Sequence, residues 1–295
     1  MTPTRTAGAT ALAAALACAT LPAAAALDLG RYSLTSTFAL PASTASESSA
    51  ITWNWDTNTL FVVGDEGEYI TEVTTAGTVV GSMKLSGFQD TEALAYVGNG
   101  RFVIGEERLQ DVYQLTYQAG ATAARSSLAS VSLGITVGNV GLEGLSFDRV
   151  NGQFVTVKEK SPQAVQMGSI DFAAGTHTMT DLFAPALGVA DLSDVQVLSS
   201  FTGTSFANNL LVFSQESQKL IEVSRTGQVL SSLDFSQISA TTEGVTITAD
   251  GTIFLTDETP NVYVLTAAPV PEPATYALML GGIGAIAFVA RRRRG

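Results

Sequence analysis

Apolar residues in the middle of this chain come in short runs, each closed by a polar end. Phe102-Val103-Ile104-Gly105 is one such run, and it stops at two carboxylates, Glu106 and Glu107. Runs this short, rich in Val, Ile and Phe and bounded by Gly, Asn and Asp, predict strands. Helical periodicity is hard to find between residues 27 and 268, so an all-β body is expected. The run-and-carboxylate pattern recurs. Leu60–Glu66, Arg101–Glu107, Gln153–Glu159, Leu210–Glu216 and Thr252–Glu258 align so that Glu fills the seventh position each time. A second apolar element precedes each: SAITW from Ser49, EALAY from Glu92, EGLSF from Glu143, SDVQV from Ser193 and EGVTI from Glu243. These starts lie 43, 51, 50 and 50 residues apart.

Tight-turn signals join the two elements, as at Gly98-Asn99-Gly100, Asn151-Gly152 and Asp250-Gly251. A third strand is predicted after each Glu, for instance Tyr69–Val73, Val112–Tyr117, Leu220–Val223 and Val262–Leu265. Val79–Leu85 and Val229–Phe235 read as fourth strands. A repeated four-stranded antiparallel unit of this length predicts a β-propeller blade, and five copies predict a five-bladed ring. A sandwich would leave both the period and the Glu register unexplained. The fifth unit has only three strands, while the alternating segment Tyr32–Leu40 has no unit of its own. That segment is expected to supply the missing outer strand and close the ring, removing two sheet edges.

Residues 1–26 hold one Arg, an Ala/Leu run and a small-residue end, the layout of a cleaved secretory signal peptide. Lipidation at Cys18, the sole cysteine, is the alternative; cleavage near Ala26 leaves a body without thiol or disulfide. At the other end Pro271, Glu272 and Pro273 precede an uncharged apolar stretch, residues 274–290, and then Arg291–Arg294. Those 17 residues give a helix of about 25 Å, enough to span a thin inner membrane, with the arginines held on the cytoplasmic side. The division is therefore 1–26 signal peptide, 27–268 propeller and 269–295 sorting or anchor segment. Between the tails lie 26 acidic and 10 basic residues, a formal charge of −16. Such a body is a poor partner for nucleic acid and suits cations or solubility.

In a blade the first strand lines the channel and the second runs back beside it. The start of one and the end of the other therefore share a face. Glu92, Glu143 and Glu243 open first strands; Glu66, Glu107, Glu159, Glu216 and Glu258 close second strands. All eight are expected to converge on one mouth of the ring. In the two remaining blades Ser49 and Ser193 hold the opening position, with Glu47 and Asp191 as stand-ins two residues earlier. Carboxylates so crowded must protonate, pair with Arg108, Lys158 or Lys160, or share a hard cation, for which calcium fits best. Transition metals fit poorly, because His177 is the only histidine. Three readings stand open: glutamates that lock blades by accepting backbone N–H groups, a cation site, or catalytic carboxylates. His177 offers little for a Ser/His/Asp triad, and no P-loop or dinucleotide fingerprint is present. Trp53 and Trp55 are expected to share one strand face, as core packing or as a ligand platform.

The pattern EGLSF…GQFVTVKE, with GNGRFVIGEER and LLVFSQES…LIEVSRTGQVLSSLDF, resembles the SdiA-regulated β-propeller family of bacterial exported or membrane-anchored proteins, over residues 46–266. The resemblance implies a propeller and a metal at the acidic mouth, with Glu107, Glu159 and Glu216 on matching positions. Ala50 and Asp194 depart from the usual Gly of the first-strand motif. A looser similarity to phytase-like propellers with esterase-like activity implies a calcium-dependent hydrolase as the alternative function. The C-terminal order resembles the PEP-CTERM tail of Gram-negative bacteria. It implies processing by an exosortase after signal peptidase, and a membrane-anchored intermediate delivered to the cell surface or extracellular matrix. A monomeric surface binding or scaffold module of unknown ligand is the function expected; a purely structural matrix protein would show no metal dependence.

Overall fold

The computed structural model describes residues 26–66 and 68–269, together with Arg291. The expected signal peptide up to Ala25, the sorting motif Pro271–Pro273 and the apolar stretch 274–290 lie outside the described residues. Among the described residues no helix is long and apolar enough to cross a membrane.

Five antiparallel sheets of four core strands each form a five-bladed propeller. Blade 1 runs Ser48–Asn54, Thr59–Gly64, Tyr69–Thr74 and Val79–Ser86; blade 2 runs Thr91–Gly98, Arg101–Glu106, Asp111–Thr116 and Ala129–Ser132. Blade 3 is Leu142–Asp148, Gln153–Lys158, Ala164–Gly168 and Thr180–Phe183; blade 4 is Asp194–Val197, Leu210–Ser214, Lys219–Val223 and Val229–Asp234. Blade 5 takes Thr242–Ile247, Ile253–Asp257 and Asn261–Ala267 from the end of the body and its outer strand, Tyr32–Ala39, from the beginning. Tyr32 pairs with Ala267 and Ala39 with Asn261, so the ring is closed as the alternation at Tyr32–Leu40 predicts. Every core strand lies between residues 32 and 267, and a 27–268 fragment carries the whole ring.

The apolar runs are continuous because each blade is packed on both faces. Successive side chains on a strand point to opposite faces. Phe102 and Ile104 face blade 1, packing with Phe61 and Val63, while Val103 faces blade 3, packing with Leu145 and Phe154. The same division yields five buried clusters, one at each junction, including Phe254 and Val262 of blade 5 against Ile51 and Val62 of blade 1. First strands are also tied by hydroxyls. The Tyr96, Val197 and Trp53 N–H groups donate to Thr52 Oγ1 (3.3 Å), Ser146 Oγ (2.9 Å) and Thr246 Oγ1 (3.1 Å) of the preceding blade.

Some features depart from the sequence expectation. Blade 1 gains a short parallel strand, Thr122–Ala124, on its outer edge. A two-residue hairpin, Ile170–Asp171 with Thr176–His177, interrupts blade 3 and carries the exposed His177 at the outer edge. Trp53 and Trp55 line one pocket, as expected of a shared face, but pack into different core clusters. Asn54 ends the strand, so Trp55 turns into the cluster between blades 1 and 2, edge-on to Tyr96 at 4.5 Å, while Trp53 packs at the junction of blades 5 and 1.

Candidate functional site

Antiparallel pairing of first and second strands brings the acids to one mouth. Thr91 is opposite Glu106, Leu142 opposite Lys158 and Thr242 opposite Asp257, so the residues after each pair face the channel end together. A repeated backbone bond marks the equivalent positions. Glu107 N donates to Asp90 O (2.9 Å), Glu159 N to Gly141 O (3.0 Å), Glu258 N to Thr241 O (3.1 Å) and Asp65 N to Glu47 O (3.0 Å). Blade 1 therefore places Asp65, not Glu66, in register with Glu107 and Glu159. Blade 4 is shifted likewise: Asp194 pairs with Phe213, as Ala93 pairs with Gly105, which puts Gln215 in the place that the motif alignment gives to Glu216. A one-residue slip sends a side chain to the opposite face. Glu66 and Glu216 are accordingly exposed.

Two groups of three carboxylates result, each with one oxygen per residue within 4.8 Å of the others. Glu107, Glu143 and Glu159 meet where blade 2 joins blade 3; Asp65, Asp90 and Glu92 meet where blade 1 joins blade 2. Asp65 and Asp90 were not singled out by the repeated Glu; the signal available for Asp90 is its place two residues before Glu92, matching Glu47 and Asp191. At this spacing two ionised carboxylates repel by about 3 kcal/mol at an effective dielectric constant of about 20. Burial adds to that cost. Desolvation first, then the charges of Glu92 and Glu107, pushes the Glu143 carboxyl well above the usual range. Desolvation, then Glu243 and Asp65, does the same to Glu92. Glu92, Glu143 and Glu243 keep partial access to the channel, yet dense surrounding protein makes desolvation the leading cause for each. Glu243 is pushed to about 8 by burial and by neighbouring Glu258, against a lowering hydrogen bond from Ser49; Gln215 Nε2 also donates to it at 2.8 Å. Asp90 rises to about 6, because desolvation and Glu107 outweigh the guanidinium of Arg108 at 3.1 Å.

Pairing relieves only part of this charge. Lys160 bridges Glu159 (2.7 Å) and Glu216 (2.6 Å). Lys158 spends two donors on the Lys160 and Pro162 carbonyls. Glu107 is buried and accepts the Gly141 N–H at 2.9 Å, a link from blade 2 to the segment entering blade 3. Glu159 Oε2 is buried with no hydrogen-bond partner among the described residues. Asp191 is a lock rather than a channel acid: its oxygens take the Glu216 N–H and the Ser193 and Ser214 hydroxyls. Asp194, which replaces the motif Gly, is fully enclosed and accepts Val195 N and Val245 N, both at 2.7 Å, pinning blade 4 to blade 5. It also leaves no room at Gly144, where a Cβ would meet the Asp194 Cα at 2.7 Å. Glu47 and Glu258 are exposed at the rim. The donor set of the two groups is all oxygen, and a cation at 2.3–2.6 Å from its ligands matches oxygens up to 4.8 Å apart.

The PEP-CTERM protein-sorting motif matches residues 269–294, which indicates export and exosortase processing of a membrane-anchored form in Gram-negative bacteria. Among solved structures, glutaminyl cyclase from Myxococcus xanthus is similar over 81% of this chain and 97% of its own, at 12% identity and TM-score 0.56. Virginiamycin B lyase from Staphylococcus aureus matches over 76% and 67%, at 13% identity and TM-score 0.42. A luciferin-regenerating enzyme matches over 80% and 95%, at 12% identity and TM-score 0.48. At 12% identity the likeness to the glutaminyl cyclase speaks to fold and not to activity. With the propeller and its acidic mouth in place, and with the family's match running over residues 26–266, the chain belongs to the SdiA-regulated family.

Proposed function

We propose that this protein is an exported, monomeric binding module of the cell surface whose acidic channel mouth holds calcium. The observation that carries the reading is the group Glu107, Glu143 and Glu159, with the buried Glu159 Oε2 left without a partner. A hard cation answers both features: it screens the mutual repulsion and takes the orphan oxygen. Calcium suits it better than magnesium, which demands near-ideal octahedral geometry and gives up its waters reluctantly. Asp65, Asp90 and Glu92 offer a second, weaker position, because Arg108 already pairs with Asp90. In this reading residues 1–26 are removed by signal peptidase, 274–290 hold the intermediate in the inner membrane, and Pro271–Pro273 mark the exosortase step.

A calcium-dependent hydrolase is the less favoured reading. Cradling a phosphoryl group takes several free cations, but Arg108 and Lys160 are already paired with carboxylates and Lys158 has a single donor left. The test is the melting temperature of residues 27–268 in EDTA, then with calcium, and with magnesium as control. A saturable, calcium-selective rise is expected, since a ligand that binds only the folded state stabilises it by mass action. No rise leaves the glutamates as blade locks and removes the hydrolase reading with the calcium.

A further inference from the structure

A cavity of about 360 Å³ lies outside the channel, in the cleft between blades 2 and 3. Its walls come from two sources. Thr156, Lys158, Ala164 and Gln166 stand on one face of blade 3, because the pairing sets Lys158 beside Ala164 and Thr156 beside Gln166. The loop that leaves the outer strand of blade 2 covers them with Leu133, Ile135 and Val137. Gln110 holds that loop in place, accepting the Leu133 N–H on its carbonyl at 2.8 Å and donating its side-chain amide to the Ile135 carbonyl.

Two features mark this as a site rather than a packing fault. Thr156 is only 4% exposed, yet its hydroxyl makes no hydrogen bond among the described residues. That hydroxyl lines the cleft, where a guest can pair with it. Lys158 is the only charged residue among those lining the cavity, and two of its three ammonium protons are taken, by the Lys160 and Pro162 carbonyls. One donor of each residue is thus left for a guest. The remaining lining is mostly aliphatic, and Ile135 is 81% exposed at the entrance. A volume of this size is that of a small-molecule pocket.

We propose that this cleft binds a small amphipathic carboxylate: an aliphatic body against Leu133, Ile135, Val137 and Leu142, with the carboxylate accepting from Thr156 Oγ1 and Lys158 Nζ. The cleft's lining holds none of the mouth carboxylates, although Lys158 feels the charges of Glu159 and Glu107, so binding is measured with the mouth kept free of cation.

Octanoate is the probe, titrated calorimetrically into residues 27–268 in EDTA, with 1-octanol in parallel. Saturable one-to-one binding of octanoate, at least tenfold tighter than octanol, is expected. Lys158→Met should weaken octanoate about tenfold or more and bring it level with octanol. Thr156→Val should weaken both. Ala164→Phe, which fills the cleft, should abolish both, provided circular dichroism shows the strand content intact. If Ala164→Phe fails to fold, Ile135→Ser at the exposed entrance serves instead and should weaken both probes by a smaller factor. Absence of octanoate binding, equal affinity for octanol, or unchanged binding in a folded Ala164→Phe variant would overturn the proposal.

Discussion

Replacing Glu243 by Gln should make the protein more stable at neutral pH while leaving it unchanged in acid. The amide is nearly isosteric with the carboxyl and keeps an Oε1 for the Gln215 Nε2 donor, now 2.8 Å away. What it removes is ionisation. Burial and Glu258 raise this group from 4.5 to about 8 in the folded chain. In the unfolded chain it ionises near its ordinary value. A folded-state pKa raised in this way contributes stability that is fully present below pH 4.5 and is lost as pH rises toward 8. At pH 7 the group has moved about 2.5 units past its unfolded value, so wild type has given up about 3 kcal/mol at 1.36 kcal/mol per unit. Glu243→Gln does not titrate and keeps that amount. For a domain of this size the gain is roughly 6–12 °C in Tm. The assay is urea unfolding of residues 27–268 in EDTA at pH 4.5, 6 and 7.5, for wild type and variant. The expected result is a gap near zero at pH 4.5 that opens with pH. A gap of equal size at all three values, or a variant less stable at pH 7.5, would refute the claim that desolvated charge is what the mouth has to contend with.

Glu143→Gln should raise the melting temperature in EDTA at pH 7.5 and remove most of the calcium-induced rise, which a differential scan with and without calcium measures directly. Asp194→Ala strands the buried Val245 N–H and should cost about 1–3 kcal/mol in urea unfolding, whereas Asp194→Asn, which keeps an acceptor, should cost less. Deleting residues 27–39 strips the outer strand from blade 5 and exposes the edge of Asn261–Ala267; the truncated protein should elute as aggregates in size-exclusion chromatography while the 27–268 fragment elutes as a monomer.

The blade count, the closing strand and the face on which the acids gather were all legible, because they follow from a period and from antiparallel pairing. The exact occupants of the mouth were not. FVVGDE and FVIGEE look interchangeable on paper, yet blade 1 presents Asp65 where blade 2 presents Glu107, and only the matching bonds from Asp65 N to Glu47 O and from Glu107 N to Asp90 O reveal the slip. The outer strands Ala129–Ser132 and Thr180–Phe183 escaped notice because they are short and largely polar, and an outer strand packed on few neighbours leaves little apolar trace. The cleft beneath Leu133–Val137 was invisible for a different reason: it is built by a loop folding over another blade, and no periodicity records that.

Whether calcium occupies the junction of blades 2 and 3 is open to direct test. Crystals of residues 27–268 soaked in calcium, with anomalous scattering collected, decide it. A peak about 2.3–2.6 Å from oxygens of Glu107, Glu143 and Glu159 is predicted. No peak there, with Glu159 Oε2 satisfied by a water or a shared proton instead, would contradict it.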